Sequence, residues 1–298
     1  MTHHVSWTAR TTELLPPSGQ RHHNDPMQNN GKQPFDLTGH CALITGGTQG
    51  VGAAIAAALA NAGSDVVLVG LKDDETAQQT LAACRNLGVK SELLLADLSG
   101  PPDSYLPELL KSVEEVAPKV DLLINNVGTY NDKPYFEMDY ETYQTTMHLN
   151  VTSGYFLTQA IARRWVEKDV QGRILFTGSI NGVLSEPDHT AYDTSKGAVA
   201  AMVRSLCVTL APLGIRVNAM APGLVRTPLT RVLDENQQLD SWMKLHTPNG
   251  QVPTADVCGG AAVFLLSDAA GHVQGQTLLV DGGMSVWQQP DPPHDWPA

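Results

Sequence analysis

Residues 41–52 read Cys41-Ala42-Leu43-Ile44-Thr45-Gly46-Gly47-Thr48-Gln49-Gly50-Val51-Gly52, an apolar run that ends in a glycine-rich turn. A helical stretch, Ala53–Ala62, follows at once. Glycine serves two ends at such a junction. It permits a tight strand-to-helix turn, and it lets backbone N–H groups approach a pyrophosphate at the positive end of the helix. The spacing is G-x-x-x-G-x-G rather than G-x-G-x-x-G. Turns of any fold use glycine, so the informative feature is its place between a first strand and a first helix. That place predicts a dinucleotide site.

Outward from this turn the same alternation repeats. Strands are predicted at Cys41–Thr45, Asp65–Gly70, Ser91–Ala96, Asp121–Asn125, Arg173–Thr177, Ile215–Ala219 and Thr277–Val280. Helical periods fill the gaps. Val199, Met202, Val203, Leu206, Leu210 and Leu213, for example, share one helix face. Strand and helix in strict alternation imply an α/β fold: a doubly wound parallel sheet of about seven strands with helices on both faces. No composition break divides residues 37–287, which are read as one domain. Residues 1–36 form an extension rich in His, Pro, Gln and Asn with no period, expected to be flexible and dispensable for chemistry. Its pairs His3-His4 and His22-His23 are read as solvated tail residues, and no metal site is expected. Residues 288–298 are read as a C-terminal tail.

Composition narrows the function. The 298 residues are 42% hydrophobic and 17% charged, which suits a compact core. The 31 acidic residues against 19 basic ones give a net charge of −12, so nucleic acid and anionic membrane are excluded as partners. No run of 18 apolar residues or signal-peptide core occurs. Cys41, Cys84, Cys207 and Cys258 are widely separated, with neither CxxC nor zinc-finger spacing. They are expected to be buried, reduced thiols of a cytoplasmic protein.

In many dinucleotide folds an acid ending the second strand holds the adenosine ribose. Here Gly70 and Leu71 occupy that place, followed by Lys72-Asp73-Asp74-Glu75, and Gln49 stands where a basic residue often meets a 2′-phosphate. Three acids and one lysine favour NAD over NADP.

The most specific pattern is Tyr192-Asp193-Thr194-Ser195-Lys196, with Ser179 thirteen residues before the tyrosine at a strand end. Tyr192 and Lys196 stand at i and i+4 of a predicted helix and share a face. A tyrosine with a pKa of about 10 must ionise near neutrality to act as a base, which needs about 3–4 kcal/mol. One ammonium at ~4 Å in a partly buried site supplies up to about that much.

With these motifs in order, residues 36–285 resemble the short-chain dehydrogenase/reductase family, which has a Rossmann-type fold. Asp97 after the third strand, Asn125-Asn126-Val127-Gly128 after the fourth and Pro222-Gly223 after the sixth also match it. Two departures are Val127 for a frequent Ala, and Asp193 where small residues are common. The resemblance implies a tetrad of Asn150, Ser179, Tyr192 and Lys196. Tyr192 would exchange the proton with the substrate oxygen, and Ser179 would hydrogen-bond that oxygen. Lys196 would hold the nicotinamide ribose and lower the Tyr192 pKa, while Asn150 would anchor a water relay. The implied cofactor residues are Gly46, Thr48, Gln49, Gly50, Val51, Gly52, Leu71, Asp97, Leu98, Asn125, Val127, Gly128, Tyr192, Lys196, Pro222, Gly223, Val225 and Thr227. Relatives pair through the two long helices after the fourth and fifth strands, here near Tyr140–Lys168 and Thr190–Leu213, so a homotetramer or homodimer is expected.

A serine hydrolase is rejected, because Ser179 lies in no G-x-S-x-G elbow. A dinucleotide-sensing module without chemistry would not need a complete tetrad. Tyr130, Asn181, Glu186, His189 and the segment 224–245 are expected near the substrate. The polar members suit a sugar or polyol, and a 3-oxoacyl thioester is the alternative.

Overall fold

The computed structural model describes residues 33–287; most of the 1–36 extension and all of the 288–298 tail lie outside the described residues. From Pro34 onward they belong to one compact unit. Seven strands form its sheet: β1 (Cys41–Thr45), β2 (Asp65–Gly70), β3 (Ser91–Leu95), β4 (Leu122–Asn125), β5 (Arg173–Thr177), β6 (Arg216–Pro222) and β7 (Thr277–Val280). All pair in parallel, in the order β3-β2-β1-β4-β5-β6-β7. Strand order reverses between β1 and β4, and such a reversal opens a ligand crevice beyond the carboxyl ends of the strands.

The helices are α1 (Gly50–Asn61), α2 (Glu75–Asn86), α3 (Leu106–Val116), α4 (Tyr140–Met147), α5 (Ser153–Glu167), α6 (Thr190–Leu210), α7 (Val232–Glu235), α8 (Gln237–Leu245) and α9 (Val257–Leu266). Strand side chains alternate between two cores. Leu43, Val67, Leu123, Ile174 and Val217 meet α3, α5 and α6 through Val113, Ile161, Trp165, Val199 and Val203. Ile44, Leu68, Ile124, Leu175 and Met220 meet α1, α2 and α9 through Ile55, Leu59, Leu81 and Leu265. Small residues bring α1 and α9 close, since a Cβ on Gly259 would lie 2.7 Å from that of Ala58. This explains why the apolar tract of α1 is built from Ala and Gly.

Two expectations are corrected. The predicted helix Tyr140–Lys168 is split by a π turn, His148–Thr152, between α4 and α5. Cys41 and Cys207 are only partly buried, although all four cysteines are free thiols. Thr190–Leu213 is long and apolar enough to cross a membrane by length and composition alone. Here it lies against the sheet and carries Tyr192 and Lys196 in its first turns.

Candidate active site

The glycine turn is built to take an anion. Gly46 and Gly50 have φ of +61° and +55°, in the left-handed region that side chains avoid. A Cβ on Gly52 would run into the Gly46 carbonyl oxygen. No side chain caps the start of α1, which leaves its first-turn N–H groups to a ligand. A Cβ on Gly70 would lie 2.6 Å from the Thr48 methyl, so this packing excludes the ribose-holding acid. Leu71 beyond it is exposed, as is Gln49. The nearby acids serve the start of α2: Asp74 accepts from Ala77 N (3.0 Å) and Asp73 from Gln78 Nε2 (2.5 Å). Val51 packs partly buried against the core cluster beneath the turn. Across the crevice, Thr227 in the loop after β6 comes within 3.4 Å of where a Gly50 Cβ would be.

Several implied cofactor residues turn their side chains inward. Leu98 and Val225 are buried in the two cores, so only their backbones are left for a ligand. Asn125 is buried and donates to Thr158 Oγ1 (2.9 Å). Pro222 ends β6, and Gly223 packs on Asp281 so closely that its Cβ would lie 2.8 Å from that of Asp281. Asp97 remains exposed, with its carboxylate held below the usual range by the Ser99 hydrogen bonds, including one from Ser99 N (2.9 Å).

Sequence reading overlooked the strut that joins this turn to the lysine. Thr45 Oγ1 accepts from the N–H groups of Asn126 (3.0 Å) and Val127 (3.1 Å). Asn126 Nδ2 donates to the carbonyls of Thr45 (3.1 Å) and Gly46 (3.0 Å), and Asn126 Oδ1 accepts from Thr177 Oγ1 (3.1 Å). Lys196 Nζ in turn donates to Thr177 O (3.1 Å). The ends of β1, β4 and β5 and the first turns of α6 are thereby tied together.

Asn150 sits in the π turn, buried, with both ends of its amide used. Its Oδ1 accepts from Thr129 N (2.8 Å), and its Nδ2 donates to Thr129 O (3.0 Å) and Ser195 Oγ (2.9 Å). Ser195 donates to Tyr192 O (2.6 Å), which links Asn150 to α6. A Cβ on Gly128 would lie 3.0 Å from Asn150 Oδ1 and 3.9 Å from Lys196 Nζ, so the loop after β4 presses on both residues.

Lys196 Nζ lies 5.5 Å from the Tyr192 ring centroid. Burial holds the lysine down to about 8. Tyr192 is pushed up, first by burial, with the neighbouring Ser179 hydroxyl working against it and the charges of Asp193 and Glu186 reinforcing it. The net direction for the protein by itself is upward, because burial disfavours the phenolate as it disfavours the Lys196 ammonium.

The remaining wall of the site is polar. Tyr130 packs edge-on against Tyr192 (5.2 Å, 87°), and its hydroxyl hydrogen-bonds His189 Nε2. Asp132 Oδ1 lies 2.7 Å from the same nitrogen. His189 is only 7% exposed, and its Nδ1 is buried without a hydrogen bond, 3.4 Å from Glu186 Oε2. Asn181 and Glu186 complete the wall beside Ser179. The segment 224–245 is held by Arg226, which pairs with Asp234 (2.5 Å) and Asp240. Among the described residues, no group of three or more His, Cys, Asp and Glu is placed to hold a metal ion.

A doubly wound sheet with an anion-binding turn at its switch point, and a Tyr and Lys beside it, defines a dinucleotide-dependent oxidoreductase. A family model described as enoyl-(acyl carrier protein) reductase matches residues 46–285. The chain is 32% identical to an L-rhamnose 1-dehydrogenase (NADP(+)) of Thermoplasma acidophilum, over 85% of this chain and 98% of that one. It is 33% identical to a 3-oxoacyl-[acyl-carrier-protein] reductase of Haemophilus influenzae, over 83% and 99%. A gluconate 5-dehydrogenase from Burkholderia cenocepacia, solved with NADP and tartrate, superposes with a TM-score of 0.79 at 30% identity, over 85% of this chain and 98% of that one. The chain belongs to the short-chain dehydrogenase/reductase family. It is an NAD(P)-dependent oxidoreductase acting on CH–OH groups.

Proposed function

We propose that the chain interconverts an alcohol and a carbonyl on a sugar or polyol. The observation that carries this reading is the polar wall beside Tyr192, where Tyr130, Asp132, Asn181, Glu186 and His189 gather around one another. Covering such groups with a ligand costs about 1–3 kcal/mol for each one left without a partner, a cost that substrate hydroxyls would relieve. An acyl chain would leave that cost standing. The rhamnose and gluconate enzymes among the relatives support the same class.

When bound, the nicotinamide dinucleotide supplies the centre that accepts or gives the hydride. The chain's own residues handle the proton. Tyr192 Oη exchanges it with the substrate oxygen, and Ser179 Oγ hydrogen-bonds the same oxygen. Lys196 holds the ribose and the local positive charge, and Asn150 anchors the proton path behind it. Gly46, Gly50 and Gly52 cradle the pyrophosphate against α1.

NAD is the preferred cofactor in this reading. Leu71 and Gln49 offer no charge to a 2′-phosphate, and Lys72 is the one cation in a stretch with Asp73, Asp74 and Glu75. The NADP named for the rhamnose and gluconate relatives is the alternative. The Haemophilus reductase supports a second substrate reading, a 3-oxoacyl thioester. Assays of sugars, polyols and acyl thioesters with each cofactor test all of these. Turnover of a sugar or polyol with NAD is expected. Turnover of thioesters alone would overturn the substrate reading, and a tenfold kcat/KM advantage for NADP would overturn the cofactor reading.

A further inference from the structure

Asp193, the departure beside Tyr192, has both carboxylate oxygens engaged. Its Oδ1 accepts from Asn181 Nδ2 (2.9 Å), and its Oδ2 accepts from the Glu186 backbone N–H (3.2 Å). Glu186 Oε1 lies 3.4 Å from the same Asn181 Nδ2. Asn181 is buried, so its amide depends on the protein for partners. An amide has one donating end and one accepting end, whereas ionised carboxylates only accept. The Asn181 NH2 must therefore face the two acids, which turns its carbonyl oxygen toward Ser179.

At Ser179 the consequence is geometric. The Asn181 backbone N–H donates to Ser179 Oγ (3.1 Å), and Ser179 Oγ–H donates to Asn181 Oδ1 over a long 3.3 Å. The first contact takes one lone pair of the serine. The second holds its proton weakly, so a better acceptor at the reacting position can draw it away. Were the amide reversed, its NH2 would face Oγ and compete for the remaining lone pair.

We propose that Asp193 is a positioning residue that works through Asn181, fixing the amide so that its carbonyl holds the Ser179 proton on a single weak acceptor until the reacting oxygen takes it. This rests on the reading of Ser179 and Tyr192 as the proton-handling pair. It assigns work to a residue whose type departs from the common family pattern, and it explains why Asn and Asp stand at these two positions of this chain.

The test is a double-mutant cycle in the full-length enzyme, with cofactor binding followed by fluorescence to show that each variant is folded. Asp193→Ala is expected to lower kcat at least about tenfold, the effect of 1.4 kcal/mol, with KM changed less than about threefold. In an Asn181→Ala background, Asp193→Ala should cost little more, because the link is already cut. Ser179→Ala serves as the reference. Full activity there would defeat the catalytic reading of the serine, and this proposal with it. A large loss there, with Asp193 and Asn181 losses that simply multiply, would overturn this proposal alone.

Discussion

At Tyr192 two opposing effects meet, and their balance sets a direction for pH dependence. Burial and the charges of Asp193 and Glu186 hold the phenol above its ordinary value, while the Ser179 hydroxyl works against them. The phenol of the free protein is thus protonated at neutral pH, ready to give a proton to a carbonyl. Alcohol oxidation needs the phenolate, so its kcat/KM should climb as pH rises above neutrality, while reduction, which needs the phenol, should stay level until the phenol titrates. Tyr192→Phe should lower both by about 10²–10⁴-fold and leave dinucleotide affinity nearly unchanged. A variant keeping more than a tenth of the wild-type kcat would refute the assignment. Lys196 carries a stability cost as well. Its folded pKa of about 8 lies below the 10.5 of a solvated lysine, so keeping the ammonium charged costs the folded state stability. That cost is on the order of 3 kcal/mol at neutral pH. The unfolded chain binds the extra proton between the two values, so stability should rise with pH from about 8 toward 10.5. Lys196→Met should therefore raise the thermal midpoint by several degrees below pH 8, and the advantage should shrink above it. A constant or inverted difference would show that the ammonium is well solvated.

At the scale of elements, the β1–turn–α1 unit depends on close backbone approach. Gly52→Ala would place a methyl against the Gly46 carbonyl oxygen, which only a shift of the turn or of α1 could relieve. Such overpacking costs about 1–3 kcal/mol. The turn it displaces is the proposed pyrophosphate cradle, so the variant should lose both thermal stability and about tenfold or more in dinucleotide affinity, read by fluorescence titration. Unchanged affinity would move the pyrophosphate elsewhere. This unit was legible in the sequence because strand period, glycine spacing and helix onset all act over a dozen residues. β1, β2, β5 and β7 likewise fall where their apolar runs place them. The π turn around Asn150 was not legible, since a single extra residue in a helical turn leaves the surrounding pattern intact. Asn126 lay within the quoted Asn125-Asn126-Val127-Gly128, but its partners Thr45 and Thr177 come from strands about 50 to 80 positions away. Long-range hydrogen bonds of this kind have no local signature. The inward turn of Asn125 has the same origin, because its partner Thr158 is on α5.

For the whole molecule, what the fold leaves uncovered points to self-association. Tyr140 and Tyr143 of α4, Tyr155, Phe156 and Val166 of α5 and Val208 of α6 are exposed, and Phe136 just before α4 is 97% exposed. A second set, Leu278 and Leu279 of β7 with Val286 and Trp287 beyond it, is exposed at the β7 edge of the sheet. Large apolar side chains on two separate surfaces mark interaction sites, since aromatic residues are enriched at interface cores. We propose that the first set is a pairing face. Two such interfaces per subunit generate a closed tetramer, as a dimer of dimers. A stable interface of this kind buries about 800 Å² on each partner, and α4, α5 and α6 together offer several aromatic anchors for it. Light scattering at micromolar concentration should therefore report about four times the 32.0 kDa chain mass. Phe156→Asp puts a charge where a partner's apolar surface would meet α5. It should break the tetramer into dimers held by the β7 edge, with kcat per folded site preserved if the site is complete within one chain. Scattering at the mass of a single chain for the wild type, or an intact tetramer in the variant, would show that α5 is not a pairing face.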